Sequence, residues 1–427
     1  MKCIVVFSFL AAACGLAAPV AAAGDRTPVD LPALLNELDR ASPQLLASRS
    51  RAEAAISVAP QREALPDPKL SVSYTNDGLS SFTLGSSEFS NLTAGWEQEV
   101  PARSVRGSAA AVADAQAEAL RASTGTLHAK LRARVITLYA ELWRLDRTRT
   151  LLEETRALLA TATDAARARY ESGDGIQEGL IRAHTAVRRA DLDLEELALE
   201  RRQVEIALGS ALGRGDDPAF GPALELPAVV APIDGEALAL AAAASSPEVL
   251  QTSAKERAAA AQLDDARVQT KPTYSWLAAY QFRGGLDPMV MGGFAVRLPV
   301  WKDRKQMHAV AAAANEHTAT EHDREAAEVE ARAGARELAT DVASIDVRLR
   351  FYREAIIPQS AAAFDAAGAA LSSGRAEMFL VLDDFGRWID ARREELALSA
   401  RRVAIVASLE AMSGMVLFEL PASGGVQ

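Results

Sequence analysis

Between residues 102 and 172, and again between 300 and 372, the chain runs for more than 70 residues with almost no helix breaker. Gly107 and Gly125 interrupt the first run; Gly334, Pro358 and Gly368 interrupt the second. At 1.5 Å of rise per residue, each run predicts a rod about 105 Å long. The alternative, a bundle of shorter helices, needs breakers that these runs lack. Pro358 predicts a kink in its helix and not its end. Each run stops at a glycine, in RYESGDG (169–175) and in LSSGRAE (371–377).

The two runs belong to a tandem repeat, which is sought before local structure is read. Ser42-Pro-Gln-Leu-Leu46 returns as Ser246-Pro-Glu-Val-Leu250, Val100-Pro101 as Leu298-Pro299, Gly173 as Gly374 and Gly213 as Gly414. Four landmarks in one order, 198 to 204 residues apart, describe one unit used twice. The first unit takes residues 24–225, with strands at about 69–77 and 90–100 and helices at about 102–172 and 176–212. The second takes 226–427, with strands at about 272–283 and 289–299 and helices at about 300–372 and 376–414. Proline in a first helical turn loses an N–H that has no partner there, which accounts for Pro43 and Pro247.

Past the first break, positions 180, 183, 187, 190, 194, 197, 201, 204, 208 and 211 form an apolar seam with Arg201 as its one exception. Met378, Leu382, Phe385, Ile389, Leu396, Val403 and Val406 repeat it, broken by Arg392 and Ser399. Alternating steps of three and four predict coiled-coil packing along the helices.

Between the short and long helices the period falls from 3.6 to 2. Leu70, Val72 and Tyr74 alternate with polar residues, as do Leu92, Ala94, Trp96 and Val100. Tyr274, Trp276, Tyr280 and Phe282 share one strand face, and Phe294, Val296 and Leu298 share another. The connections, around Gly78-Leu79-Ser80 and Gly284-Gly285-Leu286-Asp287-Pro288, read as loops. About ten residues is the length a tilted strand needs to cross a bilayer. Lipid tolerates only closed barrels, and four strands are too few to close one. If these strands are transmembrane, several chains share a barrel; the alternative is a small water-soluble sheet packed on the helices.

Residues 1–23 read as an export signal: Lys2, the apolar run IVVFSFLAAACGLAAPV, then Ala21-Ala22-Ala23 before a polar start. Cleavage after Ala23 removes both cysteines, Cys3 and Cys14, and with them any disulfide or thiol chemistry. A competing reading makes Cys14 a lipidated N-terminus, although Ala11 stands where a branched apolar residue is expected. No later apolar run reaches the roughly 20 residues of a membrane-spanning helix. A net charge of −11 gives no electrostatic case for nucleic acid.

Together these residues resemble the TolC-like outer-membrane efflux proteins. The resemblance spans about 30–420 and rests on the tandem units, SPQLLASRSRAEAA, ALPDPKLSVSYTN, RYESG and LSSGRAEMFLVLDD. It implies a mostly α fold with a small β part: long coiled-coil helical hairpins in tandem, plus four transmembrane strands per chain. Three chains would form a twelve-stranded barrel above an α-helical tunnel. It implies a passive exit duct, without cofactor, joined to a periplasmic adaptor and an inner-membrane RND-type pump. Outer-membrane lipid would meet Leu70, Val72, Tyr74, Trp96, Tyr274, Trp276, Tyr280, Phe282 and Phe294. Length and the Pro66-Asp67-Pro68 lead-in look most like the heavy-metal branch; drugs or other organic solutes are the alternative cargo.

In such proteins the helix breaks are periplasmic turns that dock the adaptor, here Ser172, Gly173 and Gly175, and Ser373 and Gly374. A gate aspartate nine residues past the second glycine falls on Asp383, followed by Asp384, and threefold symmetry would make Asp383 a carboxylate ring. The family's other gate aspartate is replaced by Leu380, and its arginine by Ala376, with Arg375 one place earlier. A solvated helix face is the alternative for both aspartates.

His128, His184, His308, His317 and His322 show no metal-ligand spacing, and His317 and His322 do not share a helix face. No phosphate loop or nucleophile elbow is present, so neither an enzyme nor a metal site is expected. Two rivals stay open: a secreted coiled-coil scaffold or adhesin, and an adaptor, which would need a lipoyl-like segment not found here.

Overall fold

The computed structural model describes residues 27–173, 177–215, 218–229, 233–373 and 375–419. The export signal, Cys14, Gly175 and Gly374 lie outside the described residues.

Two series of elements follow one pattern. The first contains α1 (Leu31–Ala41), α2 (Pro43–Ile56), α3 (Val58–Glu63), β1 (Lys69–Thr75), β2 (Asn91–Val100), α4 (Arg103–Glu171) and α5 (Gln177–Leu212). After β3 (Ala228–Val229), the second contains α6 (Gly235–Ser245), α7 (Pro247–Val268), β4 (Thr273–Arg283), β5 (Leu286–Arg297), α8 (Gln306–Phe351), α9 (Ile357–Ser372) and α10 (Met378–Ser413), and ends in β6 (Phe418–Glu419). The 69 residues of α4 make one rod about 100 Å long.

The second rod departs from its expected outline. It begins at Gln306, because residues 299–305 form hydrogen-bonded turns, with Lys305 N–H donating to Trp301 O at 2.9 Å. A π-helical turn, Tyr352–Ile356, joins α8 to α9. Pro358 has no N–H for the carbonyl of Glu354 and its ring crowds that carbonyl; widening the preceding turn relieves both problems without ending the rod. The β4–β5 connection is also shorter than expected. Only Gly284 and Gly285 lie outside the strands, with Gly284 at φ +69, as a two-residue hairpin requires. Leu286, Asp287 and Pro288 lie in β5, where an edge strand beside a bulge accommodates a proline.

The main core lies midway along the rods. Leu131, Val135, Ile136, Tyr139, Ala140 and Leu142 of α4 meet α1 through Leu31, Leu34, Leu35 and Leu38, α5 through Leu208, and α10 through Val403 and Val406. The β3–β6 pair, Ala228 with Glu419 and Val229 with Phe418, clasps the segments after the two helical hairpins. Neither strand is legible in the sequence. The two helix starts differ: Ser246 Oγ accepts from Val249 N–H at 3.0 Å, whereas Ser42 Oγ is buried without a partner.

Candidate functional site

Two regions hold the predicted residues: the sheet, and the ends of the helical hairpins. Strand order β1-β2-β4-β5 is antiparallel throughout. The register brings the alternating residues of all four strands onto one face. Leu70 faces Trp96, which faces Ala278 and then Gly292; Val72 faces Ala94, then Tyr280, then Val290. Tyr74 faces Leu92 and then Phe282, while Trp276 sits between Gln98 and Phe294. All nine predicted lipid-facing residues therefore share a single surface, and all are exposed, with Leu70 at 80% and Val72 at 76%.

Aromatic side chains occur at every level of that surface. Near the helical end Trp276 packs tilted on Phe294 at 5.0 Å between centroids, and Tyr274 stacks on it at 5.8 Å. Toward the far end, Tyr74, Leu92 and Phe282 share one level, Val72, Ala94, Tyr280 and Val290 the next, and Leu70, Trp96, Ala278 and Gly292 the one after. From Tyr274 to Phe282 the strand advances about 27 Å, a span close to the apolar band of an outer-membrane barrel once tilt is allowed for. The opposite face is polar or small over β1 and β2, with Ser71, Ser73, Thr93, Gly95, Glu97 and Glu99, while β4 and β5 add Leu277, Met289 and Met291 beside Ser275, Gln281 and Ala295. The outer edges of β1 and β5 have no partner among the described residues.

At the far end of the rods the two helix breaks come together. Ala166, Ala183 and Met378 form a small cluster with Leu180, Leu371 and Leu382. Arg182 stands over the ring of Phe379, 5.1 Å from its centroid. Gly173 turns the chain at φ +84 with open space around it, following Ser172, whose N–H donates to Ala168 O at 3.0 Å. In the second break, Ser373 Oγ donates to Ala369 O at 3.1 Å and accepts from Arg375 Nε at 3.0 Å. Arg375 is thus held within its own turn.

Asp383 and Asp384 lie a short way up α10 from that turn and share one cation. Arg387 Nη2 is 2.9 Å from Asp383 Oδ2, and its Nη1 is 3.8 Å from Asp384 Oδ1. Only 14% of the Asp384 side chain is exposed, which does not fit a solvated face; Asp383 is the more open of the two, at 39%. Phe385 and Trp388 pack on Phe364 behind them, at 5.1 and 5.9 Å between centroids. Sequence reasoning missed Arg387, although its spacing of four from Asp383 and three from Asp384 marks it as a helical neighbour of both.

No helix among the described residues is long and apolar enough to cross a membrane. Residues 34–214 match the outer membrane efflux protein family. No curated protein sequence matches the chain. Solved structures share its fold over nearly its whole length. The outer membrane protein VceC from Vibrio cholerae, 18% identical, is similar over 90% of this chain and 96% of its own, with a TM-score of 0.74. CusC, 14% identical, is similar over 91% of this chain and 93% of its own, with a TM-score of 0.77. The outer membrane channel MtrE of Neisseria gonorrhoeae, 16% identical, is similar over 92% and 94%, at 0.74. The chain has the fold of outer-membrane channels, and its residues 34–214 carry the pattern of the outer membrane efflux proteins.

Proposed function

We propose that this chain is the outer-membrane exit duct of a tripartite efflux system, built from three copies. One observation carries the reading: a four-stranded sheet with one continuous apolar face and two open edges. β1 and β4 lead away from the helices, and β2 and β5 return. The β5 edge of one copy therefore meets the β1 edge of the next in antiparallel fashion, so identical copies close a ring. Two copies would give eight strands, whose interior side chains fill; three give twelve, which leaves room for a passage. The rods then form a tunnel in the periplasm of a Gram-negative cell, while the apolar face meets lipid.

The hairpin ends at Ser172, Gly173 and Ser373 are the surface for a periplasmic adaptor, through which an RND-type inner-membrane pump delivers cargo. The duct itself has no chemistry to perform. For cargo the reading is heavy-metal cations, supported by the Pro66-Asp67-Pro68 lead-in to β1 and by Asp383, which three copies would gather near the tunnel end. Light scattering of the protein in detergent tests the assembly: a trimer is expected, and a monomer overturns the shared barrel and returns the scaffold reading. Expression beside a metal-type pump should restore metal tolerance; restored tolerance to organic solutes alone would reassign the cargo.

A further inference from the structure

The duct reading leaves one chemically capable group unused, between α7 and α8. Glu256 of α7, with His317 and Glu321 of α8, brings three donor atoms within 4.8 Å of one another, and each residue is partly buried. His317 and Glu321 are four apart and share a helix face, with Nδ1 of His317 3.7 Å from Oε1 of Glu321. Glu256 enters from the facing helix, 61 residues earlier, so no local spacing in the sequence reveals the group.

Arg324 donates from Nε to Oε2 of Glu256 at 2.7 Å, and its other arm pairs with Glu328. One guanidinium therefore serves two carboxylates, while Glu321 lies beside the His317 imidazole. Three carboxylates thus gather around one guanidinium and one imidazole.

We propose that Glu256, His317 and Glu321 bind a divalent transition-metal ion of the zinc class. The donor set selects it: an imidazole suits Zn²⁺ and its neighbours, whereas Mg²⁺ and Ca²⁺ favour oxygen alone. Bonds near 2.1 Å place tetrahedral ligand atoms roughly 3.4 Å apart, so side-chain rotation must draw the three donors closer, and water takes the fourth position. Arg324 supplies the outer-shell contact that orients a ligating carboxylate, holding one oxygen of Glu256 and leaving the metal the other. A bound ion cross-links the helix that feeds β4 to the helix that follows β5. The site does not depend on the cargo, and it would exist in a duct for organic solutes too.

Zinc titrated into the purified, tag-free, full-length protein in detergent tests this, read by calorimetry and by metal retained after gel filtration. One Zn²⁺ per chain is expected. His317→Gln and Glu256→Gln should each weaken binding by about tenfold or more, since even loss of an outer-shell partner costs that much, while His322→Gln should not. Co²⁺ should give a visible ligand-field spectrum with the wild-type protein, a readout that needs no variant to fold. Absence of that spectrum, or equal zinc affinity in wild type and His317→Gln, overturns the site.

Discussion

Arg201 of α5 donates from Nε to Oδ1 of Asp146 on α4 at 2.7 Å, at the one polar position of its coiled-coil seam. Its other nitrogens reach Glu205 and the carbonyls of Phe220 and Gly221, while Asp146 Oδ2 accepts from Ala223 N–H at 2.9 Å. The network ties the first helical hairpin to the chain that leaves it. Its counterpart, Arg402 with Asp346 at 2.5 Å, is more open to solvent. Arg201→Met takes the guanidinium from partly buried Asp146 and leaves buried Glu205 to Arg202, and should cost about 3 kcal/mol, whereas Arg402→Met should cost about 1 kcal/mol or less. Thermal unfolding of both variants in one detergent gives the comparison, and equal losses would contradict it.

Tyr139 is fully buried in the main core and donates its hydroxyl to Glu225 O at 3.1 Å. Burial, with Asp30 and other acids nearby, pushes its pKa up from 10.0 to about 12. The folded state thus holds the phenolic proton more tightly than the unfolded chain. This contribution to stability is whole below pH 10 and is lost as pH rises through about 12. Tyr139→Phe should flatten the fall in stability across that window, measured as the difference between variant and wild-type unfolding at each pH. An unchanged slope would show that the phenol is not the titrating group.

The large features were legible because they rest on periodicity and punctuation. The alternation of Leu70, Val72 and Tyr74 needed no tertiary knowledge, and neither did the scarcity of glycine in α4. What stayed hidden depends on residues far apart in the chain. Glu256 meets His317 only because α7 and α8 pack together, and Val229 meets Phe418 only once both hairpins are complete. Arg201 and Ser399 looked like faults in the seams until their partners were seen: Asp146 for one, and for the other Arg353, whose Nη2 donates to Ser399 Oγ at 3.0 Å. The extent of β5 was misread for a local reason, since Gly284-Gly285 alone completes the hairpin and Pro288 is tolerated at an edge.

Gly213 and Gly173 both sit at positive φ, +79 and +84, but only one is crowded. A Cβ on Gly213 would lie 2.1 Å from Cδ of Pro43, while one on Gly173 meets nothing within 4 Å. Alanine at Gly173 should cost about 1 kcal/mol, from backbone strain alone. Alanine at Gly213 adds a clash with the start of α2 and should cost several times more. A larger loss of thermal stability in Gly173→Ala would contradict the ranking. Export should instead be sensitive at Gly173, where a bulky residue would disturb the proposed adaptor surface; unchanged resistance at normal protein level would count against docking there.

Val72 and Ser73 are sequence neighbours on opposite faces of β1. Val72 lies one level in from Tyr74, on the face that the bilayer reading puts against hydrocarbon. Val72→Arg should cost about 2–4 kcal/mol of barrel stability, and Ser73→Arg, on the wet face, far less. Folding into lipid vesicles, read by the mobility of unboiled protein on a gel, separates them. Equal tolerance of both would favour a water-soluble sheet.

Asp383 and Asp384 converge on Arg387, so the charge near the hairpin ends depends on three residues and not on one. Leu380 and Ala376 carry no charge, and Arg387 is the cation that offsets the carboxylates. In a trimer, Asp383→Asn would remove three negative charges from the passage and Arg387→Gln would unmask six carboxylates. The two variants should therefore shift cation selectivity in opposite directions, Asp383→Asn lowering it and Arg387→Gln raising it. Single-channel recordings in planar bilayers under a salt gradient read this as a reversal potential, with a smaller effect at high ionic strength because exposed charges are screened beyond about 10 Å at 0.1 M salt. Identical reversal potentials in wild type and both variants would place the pair outside the conduction path.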